Sequence, residues 1–247
     1  MSRRVSDARG EALEQDVSTV VLPFEVNDER IEFECLKNRH SIRTAQRVLA
    51  GEVYPFIPAA RNVEVVMDVG ANCGSAGTFF SVHYPHARVL AFEPGRIPYR
   101  VLERNARRRA NIESFNVGLF DKDDEVPLYS SATHTGSSSV FPRPDATGRS
   151  EPVQLRSTRA MLDEQHISKI DVLKIDTEGC EVPILGALTR LLPEIQVVYL
   201  EFHSEEDRKV IDRLLGDTHL LAVARVLFGQ GEMVYLSKAV AAAETAS

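Results

Sequence analysis

A chain of 247 residues, 43% hydrophobic and 26% charged, is long enough for one substantial core and too apolar for a disordered segment. Its formal charge of −7 argues against a nucleic-acid surface, which would need clustered Lys and Arg. Three scattered cysteines without a CxxC pair suggest neither a disulfide framework nor structural zinc, and no window has membrane-spanning length, so a cytoplasmic protein without membrane partners is expected.

In chain order, "VSTVVLPFEV" and "RIEFECL" predict an N-terminal hairpin, and "SIRTAQRVLAGEVY" has helical spacing up to Pro55. Together they predict an extension over residues 1–60. The main domain, 61–238, then opens with three βα steps: "VEVVMDVG" and "SAGTFFSVHY", "RVLAFEP" and "PYRVLERNARRR", and the strand "IESFNVGLF". Such alternation predicts an α/β fold with a parallel sheet covered by helices on both faces. Residues 125–155, rich in Ser, Thr, Gly and Pro at their middle, predict a flap on the loop side of the sheet. The alternation resumes with "TRAMLDEQ", "IDVLKID", a helix over 182–192, "QVVYLEFH" and a helix around "EEDRKVIDRLLG". The turn "GQG" forces the last two strands, "LLAVARVLF" and "EMVYLSK", to be antiparallel neighbours. Residues 239–247 form a tail with no assigned role.

In an open α/β sheet, ligands bind beyond the carboxyl ends of the strands, where the first βα loop has most access. "DVGANCG" therefore places Asp68, Gly70, Asn72 and Gly74 at a cofactor mouth. The glycines let backbone approach the ligand but do not identify it. Gly70, Gly74 and Gly77 give G-x-x-x-G-x-x-G, not the dinucleotide G-x-G-x-x-G. A carboxylate at Asp68 would repel a pyrophosphate and suit an ammonium and a sulfonium, the charges of S-adenosylmethionine. Glu93, about twenty residues on, can accept both hydroxyls of a ribose, or simply cap the helix after Pro94.

The segments "MDVGANCG", "AFEP", "FNVGLFDKDDEVPLY" and above all "IDVLKIDTEGCEVPILGAL" resemble the FkbM-type S-adenosylmethionine-dependent methyltransferases, over about Val63 to Phe202. The resemblance implies a Rossmann-like class I methyltransferase fold: a seven-stranded, mostly parallel sheet with an antiparallel last strand. It implies O-methylation of a small hydroxylated molecule, such as a secondary metabolite or its sugar. It would set the methionine end of the donor by Asp68, Gly70, Asn72 and Gly74, the ribose on Glu93, and the adenine near Asn116 and Gly118, with Asp121 as a further partner.

Alternation along "IDVLKID" puts Val172, Lys174 and Asp176 on one face. A lysine so placed is costly to bury unpaired, so Lys174 should meet Asp176, Glu201 or Asp68, in a structural or a catalytic pair. Methyl transfer to a hydroxyl needs an aligned acceptor and a base. Asp176, Glu178 and His203 are candidates, with His134 reaching over from the flap. Asp176, Glu178 and Glu201 could instead hold a magnesium ion. Tyr54, His134, Ser138 and Glu201 are expected to shape the acceptor site. The rival readings are an NAD-dependent oxidoreductase, for which "YRVLE" lacks the lysine of a Tyr-x-x-x-Lys pair, and transfer to a nitrogen acceptor.

Overall fold

The computed structural model describes residues 18–131, 138–141 and 146–245, with side chains omitted at 130, 131 and 146–149. The first described elements are a hairpin of β1 (Thr19–Val26) and β2 (Glu29–Leu36). Its two-residue turn uses Asn27 and Asp28, both at positive φ, which matches the strands' twist. Helix α1 (Arg39–Leu49) starts at Asn38, whose side chain accepts from the Ser41 N–H. It ends before Gly51 at φ 71, so Tyr54 lies beyond the helix and not within it as the spacing suggested.

The βα series follows: β3 (Val65–Val69), α2 (Ser75–His83), β4 (Arg88–Phe92), α3 (Arg96–Ala106) and β5 (Ile112–Phe115). The predicted strand over 112–120 is in fact two. The Asn116 amide donates to the Glu93 and Pro94 carbonyls at 2.9 and 3.0 Å, and the chain leaves the sheet there. β6 (Gly118–Phe120), β7 (Asp124–Ser131), β8 (Ser138–Ser139) and β9 (Ala146–Ser157) build a second sheet, ordered β6-β9-β7-β8. The expected flap is thus largely a small sheet at the mouth of the main one. Helix α4 (Thr158–Glu164), β10 (Val172–Ile175), α5 (Glu181–Ala187), β11 (Val197–Phe202), α6 (Glu205–Leu215), β12 (His219–Leu227), β13 (Gln230–Ser237) and α7 (Lys238–Glu244) complete the chain.

The main sheet has seven strands in the order β12-β13-β11-β10-β3-β4-β5. Only β13 runs against its neighbours: it pairs antiparallel with both β11 and β12. Period-two alternation divides the core. Val66, Val89, Ala91, Val172, Val197 and Tyr199 pack with the hairpin, α1, α2 and α3. Met67, Leu90, Leu173, Ile175, Val198 and Leu200 pack with α4, α5 and α6. The extension therefore shares the main core: Glu34 exchanges two buried hydrogen bonds with Asn105 of α3, at 2.9 and 2.8 Å. Within the stretch read as a tail, Val240 is buried and Glu244 accepts from the Ala59 N–H at 2.9 Å. No helix among the described residues is long and apolar enough to cross a membrane.

Candidate active site

A cavity of about 480 Å³ opens beyond the carboxyl ends of β3, β4, β10 and β11, where the strand order reverses. Gly70, Ala71 and Asn72 line it. Gly70 sits at φ +75, and a Cβ there would lie 1.7 Å from the Asp176 carbonyl oxygen, so only glycine fits. Every N–H of this loop is engaged within the protein. Those of Gly70 and Ala71 donate to the Phe92 carbonyl at 3.0 and 2.9 Å, and that of Gly74 to the Ala71 carbonyl at 2.8 Å. The Asn72 N–H donates to Glu93 Oε2 and the Cys73 N–H to Asn72 Oδ1, both at 2.8 Å. Gly74, at φ +90, packs against Leu102 and is not a lining residue; it sets the start of α2.

Glu93 lines the cavity as expected and also takes the capping role: its Oε1 accepts the Gly95 N–H at 2.7 Å, ahead of α3. Burial pushes its carboxyl up to about 7, against the pull of the two N–H groups. Gly118 and Leu119 follow along the same wall, with Ile97, Pro98, Leu128, Val140 and Leu155 forming an apolar slot. A Cβ on Gly118 would come within 2.6 Å of Leu155. Asn116 does not face this slot; its amide is spent on the two carbonyls that turn the chain. Asp121 is exposed and outside the lining.

Asp68 departs most from expectation. It is fully buried, does not line the cavity and cannot meet a ligand's ammonium in this structure. The register explains why: Lys174 lies directly across the β3–β10 pair, and its Nζ sits 3.0 Å from Asp68 Oδ1. The second oxygen, Oδ2, accepts the Gly77 N–H of α2 at 2.8 Å. Lys174 also donates to the Gly70 and Val69 carbonyls at 2.6 and 3.2 Å, so its ammonium is spent on holding the loop. Burial alone would discharge this lysine, but Asp68 and Asp176 outweigh it and raise its pKa.

The other end of the cavity is acidic. Asp176, Glu178, Glu201, His203 and Glu232 line it, with Tyr54 and Ser138. His134 lies outside the described residues. Glu178 at φ 57 and Gly179 at φ 119 form a tight turn after β10. Glu181 organises that turn from the first position of α5: its Oε1 accepts from the Thr177 N–H and hydroxyl at 3.0 Å each and from the Gly179 N–H at 3.1 Å. The same oxygen lies 3.4 Å from His203 Nδ1, while His203 Nε2 is 3.2 Å from Glu178 Oε2 and 3.9 Å from Glu201 Oε1. Burial opposes charge on the imidazole, but Glu181, Glu178 and Asp176 prevail and raise its pKa to about 9. Facing Asp176 and being buried lift Glu201 to about 8, and burial raises Asp176 itself.

Asp176, Glu201 and His203 each offer one ligand atom, all within 4.8 Å of one another. The expected set is Asp176, Glu178 and Glu201; the ligand atoms that converge are those of Asp176, Glu201 and His203. Two carboxylates and an imidazole fit a first-row divalent ion better than magnesium, which favours oxygen alone. A bound ion there would lower the pKa of an acceptor hydroxyl.

Glu181, Glu232 and the α1 residues His40, Thr44 and Arg47 were not singled out in the sequence. The last three line the cavity from one helical face, beside the buried stripe of Ser41, Ala45 and Val48, of which Val48 also reaches the cavity. Their i, i+4, i+7 spacing was the available signal.

A family profile described as "Methyltransferase FkbM domain" matches residues 68–226. The hexuronic acid methyltransferase AglP of Haloferax volcanii is 26% identical over 171 residues, 67% of this chain and 66% of that protein, so the chain spans just under two thirds of that relative. The methyltransferase sdnD of Sordaria araneosa is 25% identical over 185 residues, 62% of this chain and 71% of that one. Among solved structures, Aeropyrum pernix fibrillarin in complex with S-adenosyl-L-methionine shows 13% identity and a TM-score of 0.48 over 91% of this chain and 85% of that one, too distant to bear on ligands.

Proposed function

The chain belongs to the FkbM methyltransferase family, and we propose that it transfers the methyl group of S-adenosylmethionine to a hydroxyl of a small molecule, a secondary metabolite or its sugar. The observation that carries the choice of donor is the closed amide ladder from Gly70 to Gly74. A pyrophosphate site offers free loop N–H groups to oxygen anions. Here those groups are consumed, one of them by the carboxylate of Glu93, which itself lines the cavity. Such a lining suits a ribose and a cationic methionine end. The apolar slot by Ile97, Gly118 and Leu155 then takes the adenine.

The sulfonium is already an activated electrophile, so the protein's task is to align the acceptor and take its proton. With Glu201 raised to about 8 and His203 to about 9, both hold their protons at neutral pH. Asp176 lines the cavity next to His203, whose positive charge opposes the upward push of burial on the Asp176 carboxyl, and Asp176 is the residue that takes the acceptor's proton in this reading. Glu201, Tyr54, Ser138 and Arg47 surround the acceptor.

Calorimetric titration with S-adenosylhomocysteine and with NAD tests the donor site. Tight NAD binding without a response to the sulfur ligand would overturn the reading. Labelled methyl donor supplied with hydroxylated and with aminated small molecules tests the acceptor class: label on oxygen is expected, and label on nitrogen alone would refute the hydroxyl assignment. Asp176→Asn is expected to slow turnover by about 10²- to 10⁴-fold at nearly unchanged donor affinity.

A further inference from the structure

β12 is the outermost strand of the main sheet, and it is long, apolar and uncovered along its outer edge among the described residues. Leu220, Leu221, Val226 and Leu227 are 51, 46, 53 and 64% exposed, and Phe228 in the following turn is 97% exposed. Single exposed apolar side chains are ordinary. A row of them on an edge strand is not, because unpaired backbone groups there template pairing with another chain. Lysine, proline or shortness usually guards such an edge. Here the only charge from Leu220 to Phe228 is Arg225, whose guanidinium turns back to the Glu52 carbonyl and Glu232. The opposite edge, β5, has four residues.

The register against β13 sorts the strand's side chains. Leu221, Ala224 and Val226 stand opposite Tyr235, Met233 and Gly231 on one face. Leu220, Val223, Arg225 and Leu227 stand opposite Leu236, Val234, Glu232 and Gln230 on the other. The register shifts between Leu221 and Val223, leaving Ala222 as the extra residue of a bulge. An antiparallel pairing of β12 with its own copy, about a twofold axis through Ala224, respects both faces. Ala224 meets Ala224, Arg225 meets Val223, Val226 meets Leu221 once Ala222 is looped out, and Leu227 meets Leu220. No pair sets like charges opposite each other, and each face continues across the axis.

We infer that this chain forms a twofold dimer in which β12 pairs edge to edge with β12 of a second copy, joining the two main sheets into one. An apolar edge whose single charge is already paired within the chain calls for a partner edge equally poor in charge, and a second copy supplies one by presenting the same patch, as an isologous interface requires. The acceptor end lies one strand away, since Gln230 and Glu232 of β13 line the cavity.

The mass of the native protein by light scattering across a dilution series is the first test: a dimer is expected, and a monomer throughout overturns the proposal. The three native cysteines are buried, so Ala224→Cys supplies a single accessible thiol at the axis. Mild oxidation should link it into a dimer on a non-reducing gel, while Leu220→Cys, which faces Leu227 of the other copy, stays unlinked. Failure of the first to link, or equal linking of both, refutes this register. Ala224→Glu and Ala224→Lys should each be monomeric and form a dimer when mixed. Recovery on mixing also shows that both variants fold, and dimers of either variant alone would count against an axis at Ala224.

Discussion

Glu93 is an ionisable contact poised at the working pH, and that makes its role measurable. Its carboxyl is held near a pKa of about 7 by burial. In the proposed reading it is ionised above that pH and accepts from a ribose; as pH falls through 7 it takes a proton and loses acceptor capacity. Affinity for S-adenosylhomocysteine should therefore be level from pH 8 upward and weaken below 7, by up to about tenfold per pH unit. Glu93→Gln should bind about 10- to 100-fold more weakly with no such slope, since a hydrogen bond to a charged group contributes about 1.5–3 kcal/mol. Titrations at several pH values decide it; a flat native profile would remove the ribose from this side chain. Lys174 makes a second case. Lys174→Met leaves Asp68 buried and uncompensated, at a cost of about 3–5 kcal/mol, and adding Asp68→Leu should restore most of that in urea unfolding. That this lysine would be paired was legible from the expense of burying it, but only the strand register picks Asp68 from its three candidate partners. Glu181 was not legible at all. Its importance comes from a side chain folded back on the Thr177–Gly179 turn, and residue spacing carries no trace of that.

The hairpin and α1 show how an element outside the family match builds the site. They are fastened through the Glu34–Asn105 bonds and the Arg104–Glu34 ion pair at 2.9 Å, and in return α1 presents His40, Thr44 and Arg47 to the cavity. Arg47 lies beside Glu232, 3.7 Å away, in the acidic part of the cavity. Arg47→Ala should accordingly raise KM for the acceptor several-fold and leave donor affinity unchanged; equal losses in both would place α1 over the donor instead. Element types were readable because the apolar period switches cleanly between two and 3.6 along the chain. The break between β5 and β6 was not, because "IESFNVGLF" keeps strand-forming residues on both sides. What divides it is a tertiary event, the Asn116 amide capturing two carbonyls of the neighbouring turn. The second sheet was hidden for a related reason: small polar residues fit a loop and a solvated strand equally well.

Over the whole molecule, sheet order and core follow from alternation, whereas charge placement does not. The expectation that one acidic residue at the loop would select the donor fails at Asp68, which is buried against Lys174, and the excess of carboxylates lies instead around Asp176 and Glu201. Concentrating Asp176, Glu178, Glu181 and Glu201 around one imidazole works against the fold. Glu201 is lifted from 4.5 to about 8 chiefly by Asp176. A carboxyl whose folded-state pKa is raised binds its proton more tightly when folded. Its stabilising contribution is therefore complete below pH 4.5 and is lost as pH rises toward 8. Glu201→Gln removes this dependence. The variant should unfold at a higher temperature than the native chain, by a margin that widens from pH 5 to pH 8 and is level above, while methyl transfer slows. Side-chain exposure of 37% keeps the margin modest through solvent screening, but its sign is fixed. Differential scanning over that pH range reads it directly: a gap that stays constant would mean that Glu201 does not feel Asp176, and a gap that narrows would place a cation between them.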